Sequence, residues 1–465
     1  MVERLSMTAY QADHLHVHTP AAALPNDPFV AGFGEYLHRS PTARFAAVQA
    51  AALLVEHGFT VIDETEDGGW PNSPGNYVLV RDGAVVAIVI PEGASSSSAY
   101  RIIGAHTDSP ALQLKDNPTL SNNGFLQCNV EIYGGPILAS WFDTDLRIAG
   151  SIITSDGEEH LVASPAVARL PHLAVHLDRE KNKSFAPQVQ DHMQPVLAVD
   201  GDYDNVMAYC AELAGVAVDD IVAHELFLTP AAEIGRLGID HAMIASSRLD
   251  NLSSVYPGLL AILHAAGCDI AGFGVTTDNI GAPASRDIAI LACFDHEEIG
   301  SGTRTGASGP LLQDVLTRTT HALGGNAETL ASQLSRSSCI SADAAHSVHP
   351  NYAQHHDARN FPVLGRGSVV KFNANHRYAT DVHTTALYRR IAERIGEPVQ
   401  GFVGRNNMPC GTTIGPLTSV RLGIPTVDVG VPLLSMHSTR ELAHRDDLVS
   451  MTKILAAYTA GATLR

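Results

Sequence analysis

The 465-residue chain is short of aromatic side chains, at 6% of residues with two tryptophans. Alanine and glycine are plentiful, so a core of small aliphatic side chains is expected. Positive charge is scarce as well. Thirty Lys and Arg face 49 Asp and Glu, for a formal charge of −19. Nucleic acid is therefore excluded as a main partner, because that affinity rests on cations meeting phosphates. No apolar run reaches the roughly 18–20 residues that span a bilayer, and the N-terminus has no signal-peptide core. The six cysteines (128, 210, 268, 293, 339 and 410) form no Cys-x-x-Cys pair. They read as buried thiols of a reducing, cytoplasmic compartment, neither disulfides nor a thiolate zinc site.

What is present is a recurring form: an apolar run that ends on an ionisable residue. Residues 288–293 are apolar and are followed by Phe-Asp-His-Glu-Glu, 294–298. Such a strand end is costly unless its charges are paired or hold a metal, and adjacent carboxylates call for positive charge nearby. Residues 101–105 lead to His106-Thr107-Asp108, and 339–342 lead to Asp343. Residues 427–436 lead to His437, and Asp250 follows Ser-Ser-Arg-Leu. Imidazoles with carboxylates are the usual ligands of a hydrolytic two-metal centre.

On an extended strand, His106 and Asp108 share a face, so Asp108 can orient a metal-bound His106. Charge counting favours two divalent ions. Asp250, Glu298, Asp343 and one hydroxide balance four positive charges, with His106 and His437 neutral. One ion would leave an uncompensated buried acidic patch. Glu297 then stays outside the ligand set, free to act as a base.

Patterning gives the organisation. Residues 43–57 read as an amphipathic helix ended by Gly58. Segments 77–80 and 84–90 flank Arg-Asp-Gly as a hairpin. Strand-like pieces recur from Pro110 to about residue 200, at 126–133, 146–153 and 172–177. They are followed by a helix at 204–213 and a strand at 223–228. From residue 240 helix and strand alternate: helices 249–266, 310–323, 381–395 and 445–462, and strands 288–294 and 426–429. This alternation predicts a layered α/β domain with a mostly parallel central sheet. Its two parts, 1–109 and 242–465, are interrupted by a β-rich insert at 110–241. The run His14–His18 reads as a terminal segment and not as a metal site.

Six motifs, in order along nearly the whole chain, resemble the aspartyl aminopeptidases. They are His-Thr-Asp-Ser-Pro (106–110), Arg-Leu-Asp-Asn-Leu (248–252), Asp-His-Glu-Glu-Ile-Gly-Ser (295–301), Ser-Ala-Asp-Ala-Ala-His-Ser-Val-His-Pro-Asn-Tyr (341–352), Pro-Cys-Gly-Thr-Thr-Ile-Gly-Pro (409–416) and Met-His-Ser-Thr-Arg-Glu (436–441). The resemblance implies a metallopeptidase with two Zn2+ per subunit, Mn2+ or Co2+ being able to substitute. It implies removal of N-terminal Asp or Glu from peptides. The insert would serve dimerisation, and twelve subunits would assemble from dimers. By motif, His106, Asp250 and Asp343 serve one ion, with Asp250 bridging, and Glu298 and His437 complete the second. Glu297 is the general base, taking a proton from a water shared by the ions, with Asp108 beside it in the catalytic set.

By the same resemblance Lys371 is the cation of an acid-specific pocket, with Arg377 and Arg405 in reserve. His176 reaches a neighbouring subunit's site. His349 and the loop holding Gly411 and Thr412 are expected against the peptide. That loop lacks the Gly-Lys-Ser/Thr ending of a phosphate cradle, and its glycines suit close main-chain approach. Rival readings are an N-acyl amino-acid deacylase or carboxypeptidase with the same ligands, and a non-catalytic metal scaffold. The retained Glu297–Glu298 pair argues against the scaffold.

Overall fold

The computed structural model describes residues 27–199, 205–283 and 285–461. The run His14–His18 lies outside the described residues. The chain divides into two compact units. One comprises Ser109–Glu233 with His437–Arg440, and the other comprises residues 27–108, 234–436 and 441–461.

The larger unit is built on a nine-stranded sheet. Its order is Thr60–Val61, Gly75–Arg81, Ala84–Ile90, Ile288–Phe294, Tyr100–His106, Ser338–Ala342, Thr426–Gly430, Ser368–Phe372 and Val399–Val403. The strands at 288, 100, 338 and 426 run parallel to one another at the centre. All four are buried along their whole length because helices cover both faces, as parallel sheets require, and Ile288–Phe294 is a continuous apolar run. On one face the helices Leu249–Ala265 and Arg445–Thr459 pack through Leu252, Leu259, Met451 and Leu455. On the other, the helix Leu311–Ala322 and Ile414 pack against Ile102, Ile290 and Cys339. The hairpin turns at Asp82, whose left-handed φ of 52° suits the Asp-Gly pair.

The smaller unit is a seven-stranded sheet with its own core, including Leu112, Trp141, Ile148 and Leu226. The chain returns to the larger unit at Ile234, earlier than residue 242. The cause is the strand Gly235–Leu237, which pairs with Met243–Ser246 and so belongs to a three-stranded sheet completed by Glu441–His444.

The expected strand at 172–177 is not formed. Its alternating apolar residues have no partner strand, and Leu173, Val175 and Leu177 are 51%, 49% and 74% exposed. The last three residues of the motif 409–416 are also not loop, because Ile414–Leu422 is a helix. The close approach belongs to Gly415, where a Cβ would meet Asp428 Oδ1 at 2.3 Å, whereas Gly411 faces open space.

Candidate metal centre

The parallel strands deliver their polar residues at one edge, the carboxyl ends, where open α/β sheets gather their sites. His106 is the last residue of its strand, and Asp343 directly follows another. Phe294 ends a third, opposite His106 in register, and the acidic segment begins next to it. His106, Asp108, Asp250 and Asp343 are all buried.

His106 Nδ1 lies 3.1 Å from the Asp108 carbonyl and 3.3 Å from Asp108 Oδ1. Its Nε2 lies 3.4 Å from Asp250 Oδ1. With Nδ1 held by Asp108, Nε2 is the nitrogen presented to the cluster. Burial disfavours a charge on His106, but the Asp108, Asp250 and Glu297 carboxylates outweigh it and hold the imidazole well above its ordinary value.

Asp108 does more than touch His106. Its Oδ1 accepts the backbone N–H of Glu297 and its Oδ2 that of Glu298, each at 3.0 Å. Those amides open the single turn Glu297–Ile299, entered through His296 at a left-handed φ of 63°. Both glutamates are thereby fixed to the strand end that carries His106.

Burial raises the carboxyl of Glu297 to about 8, with Asp343, Asp250 and Asp108 adding to the rise and His106 opposing it. Asp343 is raised by burial too, against the pull of the Lys371 ammonium.

Ligand atoms of His106, Asp250 and Asp343 lie within 4.8 Å of one another. Those of Asp250, Glu298 and His437 do likewise, and Asp250 belongs to both groups. Glu297 belongs to neither. His437 follows Met436 directly in the chain, with a left-handed φ of 68°. Its Nδ1 donates to Gly135 O at 2.9 Å.

Lys371 is buried, not a surface lysine. Its Nζ donates to Ala344 O at 2.8 Å, lies 3.7 Å from Asp343 Oδ1 and faces the Tyr378 ring at 5.4 Å. Arg377 and Arg405 are exposed, on the loops that follow Ser368–Phe372 and Val399–Val403. His349 sits in a histidine-rich loop, where its Nδ1 accepts Asn351 N–H and its own N–H goes to His356 Nε2. Thr412 is exposed, its hydroxyl donating to Arg377 O at 3.3 Å. His176 lies in the smaller unit, exposed and outside any strand.

Three residues were not singled out from the sequence. Asp428 is fully buried and accepts Ser341 Oγ, Thr413 Oγ1 and Ala379 N–H. Burial raises its carboxyl, opposed by Lys371. Its signal was a charge inside an apolar run, Val427-Asp428-Val429. Asn251 and Glu441 lie in quoted motifs, beside Asp250 and four residues after His437, but their roles are tertiary.

The comparisons with known proteins agree on one family. A family model described as aminopeptidase I zinc metalloprotease (M18) matches residues 36–459. A probable M18 family aminopeptidase 2 of Streptomyces coelicolor is 41% identical over 432 residues, covering 91% of this chain and 95% of the relative. A Pseudomonas aeruginosa protein of the same description is 38% identical over 445 residues, covering 93% and 98%. Among solved structures, a chain of the Ape4 and Nbr1 complex has a TM-score of 0.86 and 31% identity, covering 93% of this chain and 85% of its own length. The Saccharomyces cerevisiae mApe1 dodecamer has a TM-score of 0.78 and 25% identity, covering 92% and 95%.

Proposed function

This chain belongs to the M18 family of aminopeptidase I zinc metalloproteases, and from that premise we propose that it removes N-terminal Asp and Glu from peptides at a two-zinc centre. The observation that carries the reading is the sharing of Asp250 by two ligand groups, beside a glutamate that belongs to neither.

The donor set fits zinc. Imidazole nitrogens and carboxylate oxygens are its ligands in hydrolytic sites, and no thiolate is among them. His106, Asp250 and Asp343 would hold one ion, and Asp250, Glu298 and His437 the other. When bound, zinc supplies Lewis acidity toward the scissile carbonyl and acidifies water. Mn2+ or Co2+ can take the same donors.

The remaining work falls to the chain's own groups. Glu297 takes the proton of the attacking water and returns it to the leaving amine. Asp108 keeps Glu297 and Glu298 in place through their amides.

Selectivity for an acidic side chain calls for a cation at short range. The overall charge of −19 repels such a peptide, and salt screens that repulsion beyond about 8–10 Å. Lys371 fills this role as a desolvated ammonium beside the cluster. Its separation of 3.7 Å from Asp343 is longer than a hydrogen bond. Arg377 and Arg405 are the exposed alternatives. His349, Gly411 and Thr412 contact the peptide further out.

Twelve subunits assemble from dimers made through the smaller unit, a reading supported by the dodecamer of the similar yeast mApe1 structure. The exposed Leu173, Val175 and Leu177 around His176 are apolar surface for such a contact. No described helix is long and apolar enough to cross a membrane. The six free thiols suit the reducing cytoplasm, where we place the enzyme.

The experiment compares a peptide with a free N-terminal Asp and its N-acetylated form. Cleavage of the free peptide alone is expected. Equal or preferred cleavage of the acetylated form would establish a deacylase instead.

A further inference from the structure

Asp250 is the one residue common to both ligand groups, so whatever fixes it governs both. The strand Met243–Ser246 pairs antiparallel with Glu441–His444, which sets Ser246 opposite Glu441. From Ser246 the chain turns through Arg248 at a left-handed φ of 61°. The Arg248 guanidinium pins this turn by donating to Leu37 O at 3.0 Å and Ser247 Oγ at 2.8 Å. The turn carries the Asp250 backbone N–H to Glu441 Oε2, at 3.0 Å. Glu441 is 1% exposed. On the other side, the fully buried Asn251 donates through Nδ2 to Ala342 O at 2.9 Å, the carbonyl just before Asp343. Asp250 is thus tied in one direction to the strand that follows the His437 loop, and in the other to the strand end that presents Asp343.

We infer that Glu441 is a positioning residue which, together with Asn251, fixes the Asp250 carboxylate between the two ligand groups, so that both metal positions depend on the hydrogen bonds that hold Asp250 and its neighbour. The inference rests on the two-zinc reading. Groups one bond removed from a metal ligand set its orientation, and their loss commonly weakens metal binding by about 10–100-fold. Because Asp250 is shared, the loss here extends to both ions together. Changing a ligand held by one group alone, such as Asp343 or Glu298, removes one ion first.

The test measures zinc per subunit by elemental analysis, and zinc release to a chromogenic chelator, on the full chain. Wild type, Glu441→Leu, Glu441→Gln, Asn251→Ala and Glu298→Gln are compared, with melting temperatures recorded for each metal-free protein. Wild type is expected to hold two ions. Glu441→Leu should release both in one phase at chelator concentrations about tenfold or more lower, and Glu298→Gln should release one before the other. Glu441→Gln keeps an acceptor for the Asp250 N–H and should restore both ions. Should Glu441→Leu fail to fold, Asn251→Ala decides, with the same joint loss expected. Retention of one ion at wild-type affinity in Glu441→Leu or Asn251→Ala overturns the inference, as does a Gln variant as defective as Leu. Wild type holding a single ion would instead overturn the two-zinc reading, so the two failures are distinguishable.

Discussion

The carboxylate of Asp108 accepts the backbone N–H of Glu297 at 3.0 Å and, through its second oxygen, that of the next residue. One side chain thus anchors both the proposed base and a proposed ligand, while its own backbone carbonyl orients His106. Asp108→Ala should lower activity by about 10–100-fold, as loss of such partners commonly does. Asp108→Asn should be nearly as damaging, because an amide offers one acceptor and sets its NH2 against the second N–H. Steady-state rates at saturating zinc check this. An Asn variant with wild-type rates would remove Asp108 from the clamp.

The two glutamates separate by metal content. Glu297→Gln should keep its zinc while activity falls by about 10²-fold or more, the scale of a lost general base. Glu298→Gln should lose zinc as well as activity. Elemental analysis beside initial rates decides, and equal zinc loss in both variants contradicts the division of roles.

These relationships mark how far the sequence could be read. The strands Tyr100–His106 and Ile288–Phe294, with ionisable residues at their ends, were legible because burial on both faces leaves apolar stretches at 102–105 and 288–294. The bond from Asp108 to the Glu297 amide spans 189 residues and has no local signature. The segment 172–177 carried a strand-like alternation without a partner, and alternation alone does not supply one. Gly411 drew attention through its glycine-rich setting, yet the steric need lies at Gly415, imposed by the distant Asp428. Asp428 and Glu441 act through tertiary bonds, and only the placing of a charge in an apolar strand hinted at the first.

Lys371 carries the prediction about substrate. Lys371→Met should weaken hydrolysis of Asp and Glu substrates relative to a neutral one by roughly 2–5 kcal/mol, the range for truncating a buried charge pair. The readout is the ratio of kcat/KM values. Equal loss on acidic and neutral substrates would make Lys371 a counter-ion of Asp343, and Arg377→Ala and Arg405→Ala would then be the variants to compare.

Asp447 gives a pH prediction away from the centre. Its buried carboxyl accepts the N–H groups of Gly365 and Gly367, ahead of the strand that bears Lys371. Burial raises it to about 7, against the help of those two amides. The unfolded carboxyl titrates near ~3.9, so the fold disfavours the ionised form. This group's contribution is therefore most favourable below about pH 4, and it declines as pH rises through about 7. Asp447→Asn removes the titration. Urea unfolding at pH 5 and pH 8 should show the variant gaining on wild type at the higher pH, and a constant difference would contradict this.

The proposed place of His176, at a neighbouring subunit's site, ties activity to assembly. Dissociated subunits should lose most activity, and His176→Ala should lower the rate of the intact oligomer without changing its size. A fully active monomer in sizing experiments would take His176 out of the site.

The most direct measurement is a side-by-side assay of Asp-, Glu-, Leu- and Lys-aminoacyl substrates, each with and without chelator. The account predicts rapid release from Asp and Glu, slow release from Leu and Lys, abolition by the chelator and recovery when zinc is restored. Undiminished hydrolysis in the chelator, or neutral substrates cleaved as fast as acidic ones, would contradict it.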